Sequence, residues 1–270
     1  MLKRVSIGAG ACAASAAAYH FGMRNESTSK PLEKRKHAPG SMGRRALVVG
    51  ASGATGRQVV RALIMSDRWA CVTTVGRSRV DDLCNCPKIQ QVIIPSLMEN
   101  DLARSAERWR GHDVLFVCLG TTRSSAGSAE NFKRIEVDMT AAVASQARAA
   151  GIPHASVVSA QGANPQAWVP SELIHPMLYV RTLGEKEQAV LAEGFPRISI
   201  FRPGMLNRLV NDRPHENVLN ALGLGLPVDI LAHAMVRDAE AEPLVLDTPP
   251  EAPVVYEGNR EIYALGSLSL

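Results

Sequence analysis

Short apolar runs recur along the chain from residue 46 onward, at 46–49, 71–75, 91–94, 113–119, 155–159 and 198–201. Each is flanked by turn residues and is too short to be a helix of ordinary length, so the pattern predicts six strands. Most show little polar alternation, as expected of strands covered on both faces. Between them lie stretches with apolar residues three and four apart, which predict helices at 57–65, 132–150 and 172–191. Strict alternation of strand and helix implies parallel strands joined by right-handed crossovers. The expected architecture is therefore α/β, a doubly wound parallel sheet with helices on both faces. No internal repeat of solenoid period is present.

Composition narrows the function classes. The chain has 270 residues, 46% hydrophobic and 21% charged, which excludes wholesale disorder and a polytopic membrane protein. Aromatic residues make up only 4%, leaving little for stacking on nucleic-acid bases. The net charge of +4 is unevenly spread: residues 1–45 carry nine bases against two acids, and the remainder carries 21 bases against 24 acids. A basic front end on a mildly acidic body reads as an address attached to a domain, and no nucleic-acid partner is expected. Residues 1–43 combine an early Lys3-Arg4 pair, a small-residue apolar stretch at 5–23 and no acid before Glu26. That suits a mitochondrial presequence or a single membrane anchor, with a plain tail on a cytoplasmic protein and a secretory signal as alternatives. Five cysteines without framework spacing argue for reduced thiols, and Cys84-Asn85-Cys86 lacks the second pair that a tetrahedral metal site needs.

The richest segment is Val48-Val49-Gly50-Ala51-Ser52-Gly53-Ala54-Thr55-Gly56-Arg57, placed after the first strand and before the first helix. In that setting Gly50 permits the tight turn, Gly53 lets backbone approach a pyrophosphate and Gly56 lets helix pack on strand, while the N–H groups from Ser52 through Thr55 to Gly56 face the phosphates. A Rossmann-like dinucleotide site follows. After the second strand the chain reads Gly76-Arg77-Ser78-Arg79, with no acid to hold ribose hydroxyls. Arg77 and Arg57 can instead meet a 2′-phosphate, which favours NADP(H) over NAD(H); the alternative is two solvated surface arginines.

These motifs, with Gly111-His112-Asp113-Val114, Cys118-Leu119-Gly120-Thr121-Thr122-Arg123, Val158-Ser159-Ala160-Gln161-Gly162-Ala163 and Phe201-Arg202-Pro203-Gly204, stand in an order that resembles one group of atypical short-chain dehydrogenase/reductases. That group is the oxidoreductase Tat-interactive protein family, with fungal relatives found in mitochondria. The resemblance covers about 46–265. It implies that Leu119, Gly120, Thr121 and Thr122 line the nicotinamide side of the cofactor, that Ser159 polarises a substrate carbonyl and that Tyr179 protonates the developing alkoxide. It also implies a helix at 226–236 near the substrate cleft, a closing helix at 257–265 and a substrate-side portion from about 204. The insert at 207–226, rich in glycine and leucine, is a candidate lid or partner surface.

The departure from the family is as informative as the match. The family motif is Tyr-x-x-x-Lys, and this chain has Tyr179-Val180-Arg181-Thr182-Leu183. Leucine neither lowers the tyrosine pKa nor bonds the ribose. Lys186 lies on nearly the same helix face as Tyr179 but about 10 Å along the axis, at about 1.5 Å per residue. A second departure is Pro95-Ser96 where an acid normally ends the third strand near the adenine. Two readings follow. One is an NADP(H)-dependent reductase of a small carbonyl or alcohol substrate, and on that reading Leu183→Lys is a repair. The other is a non-catalytic nucleotide-binding protein, structural or redox-sensing, docked on a partner in a mitochondrial assembly.

Overall fold

The computed structural model describes residues 43–80, 86–169, 175–207, 225–241 and 252–267. Six strands fall where the apolar runs predict them: β1 (Arg44–Val49), β2 (Trp69–Gly76), β3 (Ile89–Ile93), β4 (Val114–Val117), β5 (His154–Val158) and β6 (Arg197–Arg202). A two-residue ladder joins β7 (Leu206–Asn207) to β8 (Leu226–Pro227), and β9 (Val254–Glu257) completes the main sheet. The helices are α1 (Ala54–Met65), α2 (Glu99–Arg104), α3 (Arg123–Ala126), α4 (Ala129–Lys133), α5 (Met139–Ala149), α6 (His175–Leu191), α7 (Val228–Ala241) and α8 (Asn259–Gly266). Among the described residues the main sheet has seven strands in the order β3-β2-β1-β4-β5-β6-β9, parallel throughout. The Rossmann-like doubly wound α/β class expected from the sequence is the one found.

Period-two geometry divides each central strand between two cores. Ala46 and Val48 of β1, with Val114 and Phe116 of β4, enter a core built with α1 and α7. Leu47, Val49, Leu115 and Val117 point the other way, into a core with α5 and α6. This double burial is why these strands are uniformly apolar. On the first face α1 packs on α7 and α7 on α8; on the second α5 packs on α6 and α2.

At the end of the sheet where the strands begin, a polar cluster ties α7 to β5, β6 and β9. Asp238, 2% exposed, accepts from Arg197 Nη2 at 2.7 Å and from Tyr256 Oη at 2.7 Å. Arg44 donates to the Ala239 carbonyl beside it. His154 Nε2 lies 3.0 Å from Ser199 Oγ and 3.8 Å from Asp238. Burial, then the charges of Arg197 and Arg44, hold the imidazole pKa well below its usual value, so the ring is neutral and its contact with Asp238 is not an ion pair.

Four expectations change. The strand β9 escapes the sequence reading because at the sheet edge three of its residues are only half-buried and the fourth, Glu257, is exposed. The helix expected at 132–150 begins at Ala129 and is interrupted by a π-helical turn, Arg134–Asp138. The helix expected from 226 begins at Val228, because Leu226 and Pro227 pair with β7. The closing helix begins at Asn259, since Glu257 belongs to β9. The address segment at 1–42, residues 208–224 of the candidate lid, and Cys84 and Asn85 lie outside the described residues. Among the described residues no helix is long and apolar enough to cross a membrane.

Candidate functional site

The strand order reverses between β1 and β4, and connections from the two leave in opposite directions. A crevice at the carboxyl ends of the strands is the geometric result. Here it is a cavity of about 410 Å³ bounded by the turn after β1, the end of β2 and the segment after β4. The volume lies within the range of small-molecule and cofactor sites.

Glycine makes the turn possible. Gly50 has φ +88° and sits so close to β4 that a Cβ there would lie 2.6 Å from the Cys118 carbonyl oxygen. A Cβ on Gly56 would lie 2.2 Å from the Gly50 carbonyl oxygen, so only glycine lets α1 start against the turn. Helix α1 begins at an extended Gly53, with no side-chain cap and no acid in its first turn. Its first N–H groups therefore lack intrahelical partners and are suited to an anion. Gly50, Ser52 and Gly53 line the cavity; Ala54, Thr55, Gly56 and Arg57, in the first turn of α1, do not.

The charged side chains among the described lining residues are of one sign. Arg77 and Arg134 line the cavity, and among the described residues no carboxylate does. Arg77 is exposed on the loop after β2, and Val80 three residues on is held by Gln91, which accepts from Val80 N at 2.9 Å and donates to Val80 O at 3.2 Å. Arg134, at the start of the π-helical turn, donates through Nε and Nη2 to Asn131 Oδ1 at 3.2 and 2.9 Å. Buried Val80 and Leu97 add apolar surface to the lining, Leu97 directly after the Pro95-Ser96 departure. Glycine turn, uncapped helix start and two cations form a set of donors that fits a dinucleotide.

Leu119, Gly120 and Thr121 line the cavity from the β4 side, whereas Thr122 does not. The Thr122 hydroxyl caps α3, accepting from Ser125 N at 3.1 Å. Cys118 also lines the cavity, and burial pushes its thiol up to about 12 despite the opposing charge of Lys186, so it is a thiol and not a thiolate.

The residues expected to react lie apart from this cavity lining. Ser159, 5% exposed at the end of β5, has a hydroxyl with no hydrogen-bond partner among the described residues. Tyr179, half-buried on α6, stacks on Phe132 with ring centroids 6.0 Å apart. Leu183, 3% exposed, joins Ala126, Phe132, Ala160 and Ala163 in a small apolar cluster. Lys186 is turned to the loop after β4 and to Glu136: it is 1% exposed and donates to Leu119 O at 2.7 Å and to Glu136 Oε2 at 3.0 Å. Glu136 in turn accepts from Thr121 N at 2.6 Å through Oε1. The Phe-Arg-Pro-Gly arginine is also engaged, since Arg202 makes a bidentate pair with Glu187 at 2.9 and 2.6 Å and a third bond to Glu257 at 3.0 Å.

Sequence reasoning missed Arg134, Glu136 and the role of Lys186, although a signal existed for two of them. Glu136 falls on the buried stripe Phe132, Met139, Val143, and Lys186 on the stripe Leu183, Val190. Two opposite charges on two buried stripes call for each other.

A model of the NAD(P)H-binding family matches residues 50–221. The protein FMP52-1, mitochondrial, of Scheffersomyces stipitis is 31% identical over 189 residues, covering 67% of this chain and 74% of that one. The protein HTATIP2 of Rattus norvegicus is 33% identical over 162 residues, 59% of this chain, and the chain spans 61% of that protein's length. The resemblance read from the motifs is thus the one these relatives bear out. Among solved structures, the oxidoreductase ylbE of Lactococcus lactis superposes with a TM-score of 0.57 at 15% identity, covering 83% of this chain and 96% of that one. Yeast methylglyoxal/isovaleraldehyde reductase Gre2 complexed with NADPH gives 0.56 at 11% identity, covering 78% and 77%. At these identities the superpositions speak for the fold.

Proposed function

The chain belongs to the NAD(P)H-binding family, and from that premise we propose that it is an NADP(H)-dependent reductase of a small carbonyl compound acting in mitochondria. The observation that carries the cofactor preference is the cavity itself, lined by Arg77 and Arg134 and, among the described residues, by no carboxylate. An acid at the end of β2 would hold the two hydroxyls of an NAD ribose; Arg77 supplies charge-assisted bonds for a 2′-phosphate instead, with Arg57 nearby on α1. The uncapped start of α1 holds the pyrophosphate, and Leu119, Gly120 and Thr121 take the nicotinamide end. When bound, the reduced nicotinamide supplies the hydride. Ser159, whose buried hydroxyl has no partner among the described residues, holds the substrate carbonyl oxygen. Tyr179 gives a proton to that oxygen as it becomes an alkoxide. Mitochondrial action is supported by the basic segment at 1–43 and by the names of the fungal relatives.

One observation favours a second reading. Leu183 packs in an apolar cluster where the motif would place a cation, so a non-catalytic protein that keeps the nucleotide as a structural ligand or redox sensor would lose nothing by it. The experiment that tests the first reading is NADPH and NADH binding by the purified protein, followed by a screen of aldehydes and ketones for NADPH oxidation. Charge-assisted bonds of about 1.5–3 kcal/mol give NADPH an advantage of about 10- to 150-fold. Arg77→Ala removes most of that advantage and leaves NADH affinity nearly unchanged. Equal affinities in the unmutated protein overturn the cofactor preference, and binding without turnover of any carbonyl moves the conclusion to the second reading.

A further inference from the structure

We propose that Lys186 and Glu136 are positioning residues of the dinucleotide site, holding from beneath the backbone on which the nicotinamide end rests. The pair links three elements: Lys186 on α6, Glu136 in the π-helical turn between α4 and α5, and the segment that follows β4. Strand pairing fixes that segment only as far as Cys118, whose N–H donates to Val49 O at 2.9 Å. Beyond it the chain leaves the sheet, and its backbone groups need other partners. Leu119 O accepts from Lys186 Nζ at 2.7 Å, and Thr121 N donates to Glu136 Oε1 at 2.6 Å. The second oxygen of Glu136 meets the same ammonium at 3.0 Å, which closes the arrangement on both sides of Gly120.

Stability alone is a poor reason for this pair. The side chains of Lys186 and Glu136 are 1% and 3% exposed, and a well-packed apolar pair of the same volume avoids the desolvation of both charges. What apolar side chains cannot do is bind one carbonyl and one N–H at chosen places. The π-helical turn is the local device that aims Glu136, since an extra residue in the turn shifts the following side chains around the helix, a feature often found at functional sites. Its neighbours Arg134 and Ile135 line the cavity, so one turn supplies both lining and support. Relative to the family motif the lysine has moved three positions along α6, from the apolar cluster around Tyr179 to the underside of the loop. In this chain its charge sets loop geometry and does not face a ribose.

The inference rests on the reading that the nicotinamide end lies against Leu119, Gly120 and Thr121, and the test separates the two. Full-length protein and its Lys186→Met, Lys186→Arg and Glu136→Gln variants are titrated with NADPH and with adenosine 2′,5′-bisphosphate, which has the adenine end only. Hydrogen exchange is followed in the peptide spanning 119–122. Lys186→Met is expected to weaken NADPH at least tenfold while bisphosphate affinity stays within twofold, and to speed exchange at 119–122 with β5 unchanged. Glu136→Gln, which keeps an acceptor for Thr121 N, shifts both readouts the same way by less, and Lys186→Arg recovers most of the loss. A merely structural role moves both ligands by one factor and overturns the proposal. So does unchanged NADPH affinity with unchanged exchange. If Lys186→Met does not fold, Glu136→Gln decides by the same criteria. In the unmutated chain NADPH, and not the bisphosphate, must slow exchange at 119–122. Absence of that slowing overturns the placement of the nicotinamide end and the proposal with it, whereas slowing in the parent with unchanged variants overturns the pair's role alone.

Discussion

Restoring the family lysine by Leu183→Lys is expected to damage the protein before it repairs any chemistry. Leu183 is 3% exposed among Ala126, Phe132, Ala160 and Ala163, with the Tyr179 ring packed against the cluster. Removing it forfeits about 1.5–3 kcal/mol of apolar burial, partly regained by the lysine stem. The larger cost is the ammonium. Glu136 already serves Lys186 and Thr121 N, so it is not free for a second cation. A depression of the new lysine's pKa by about three units corresponds to about 4 kcal/mol at neutral pH. For a unit of this size that lowers Tm by about 10 °C. The sign with pH follows from linkage: the folded-state pKa is depressed, so between it and the unfolded value of about 10.4 the unfolded chain binds more protons and stability rises with pH. Thermal melts of parent and variant at pH 7 and pH 9.5 should therefore show a deficit that shrinks in alkali. A deficit under 2 °C that ignores pH would refute the reasoning and show that the new ammonium finds water or a carboxylate. In that event the site can take the motif lysine, and the same variant should be assayed for a gain in carbonyl reduction.

Three further outcomes are expected. Gly56→Ala places a methyl 2.2 Å from the Gly50 carbonyl oxygen, so calorimetric titration should show NADPH binding weakened at least tenfold, together with a lower Tm; parental affinity would mean that α1 can shift without cost. Because burial, then Arg197 and Arg44, depress the His154 pKa, the unfolded state binds the extra proton below about pH 6.5, and stability falls as pH drops through that value. Denaturant melts of His154→Gln should lack that part of the acid sensitivity, and an identical pH profile would refute it. Deleting residues 1–43, which end where β1 is about to start, should leave Tm and NADPH affinity intact while moving a fluorescent fusion from mitochondria to cytosol; a full-length fusion already in the cytosol would overturn the address.

The fold was legible where one physical constraint dominated a whole segment. Residues 46–49 and 114–117 are buried on both sides by two helical layers, and nothing polar is tolerated there. β9 carries no such mark. Val254, Val255 and Tyr256 are half-buried at an edge, covered in part by Phe201 stacking on Tyr256 at 4.7 Å, and four residues of mixed character do not announce a strand. The π-helical turn was hidden for a different reason. Apolar spacing over 132–150 fits a continuous helix, and nothing in that spacing marks the interruption at 134–138, where Glu136 bonds Thr121 N, fifteen residues away in sequence.

The two halves of the site differ in legibility because they use different chemistry. The half proposed to hold phosphates is made by backbone: Gly50 and Gly56 meet main-chain atoms at distances no other residue allows, and α1 presents bare N–H groups. Backbone requirements write themselves into sequence as glycine at fixed spacing, so the turn can be read from ten residues. The residues expected to react, Ser159 and Tyr179, depend on side chains from β5 and α6, with Phe132 of α4 stacked on the tyrosine, and there one substitution changes the chemistry and leaves the pattern nearly intact. At Leu183 the motif alone said only that a cation was missing. The structure adds that its place has been filled by packing, and that a buried lysine three positions on bonds the loop that lines the cofactor cavity. A charge lost from one stripe of α6 and a charge buried on the next are separate facts in sequence. They become one physical statement only when Leu119, Glu136 and Thr121 are seen to share the same ion pair.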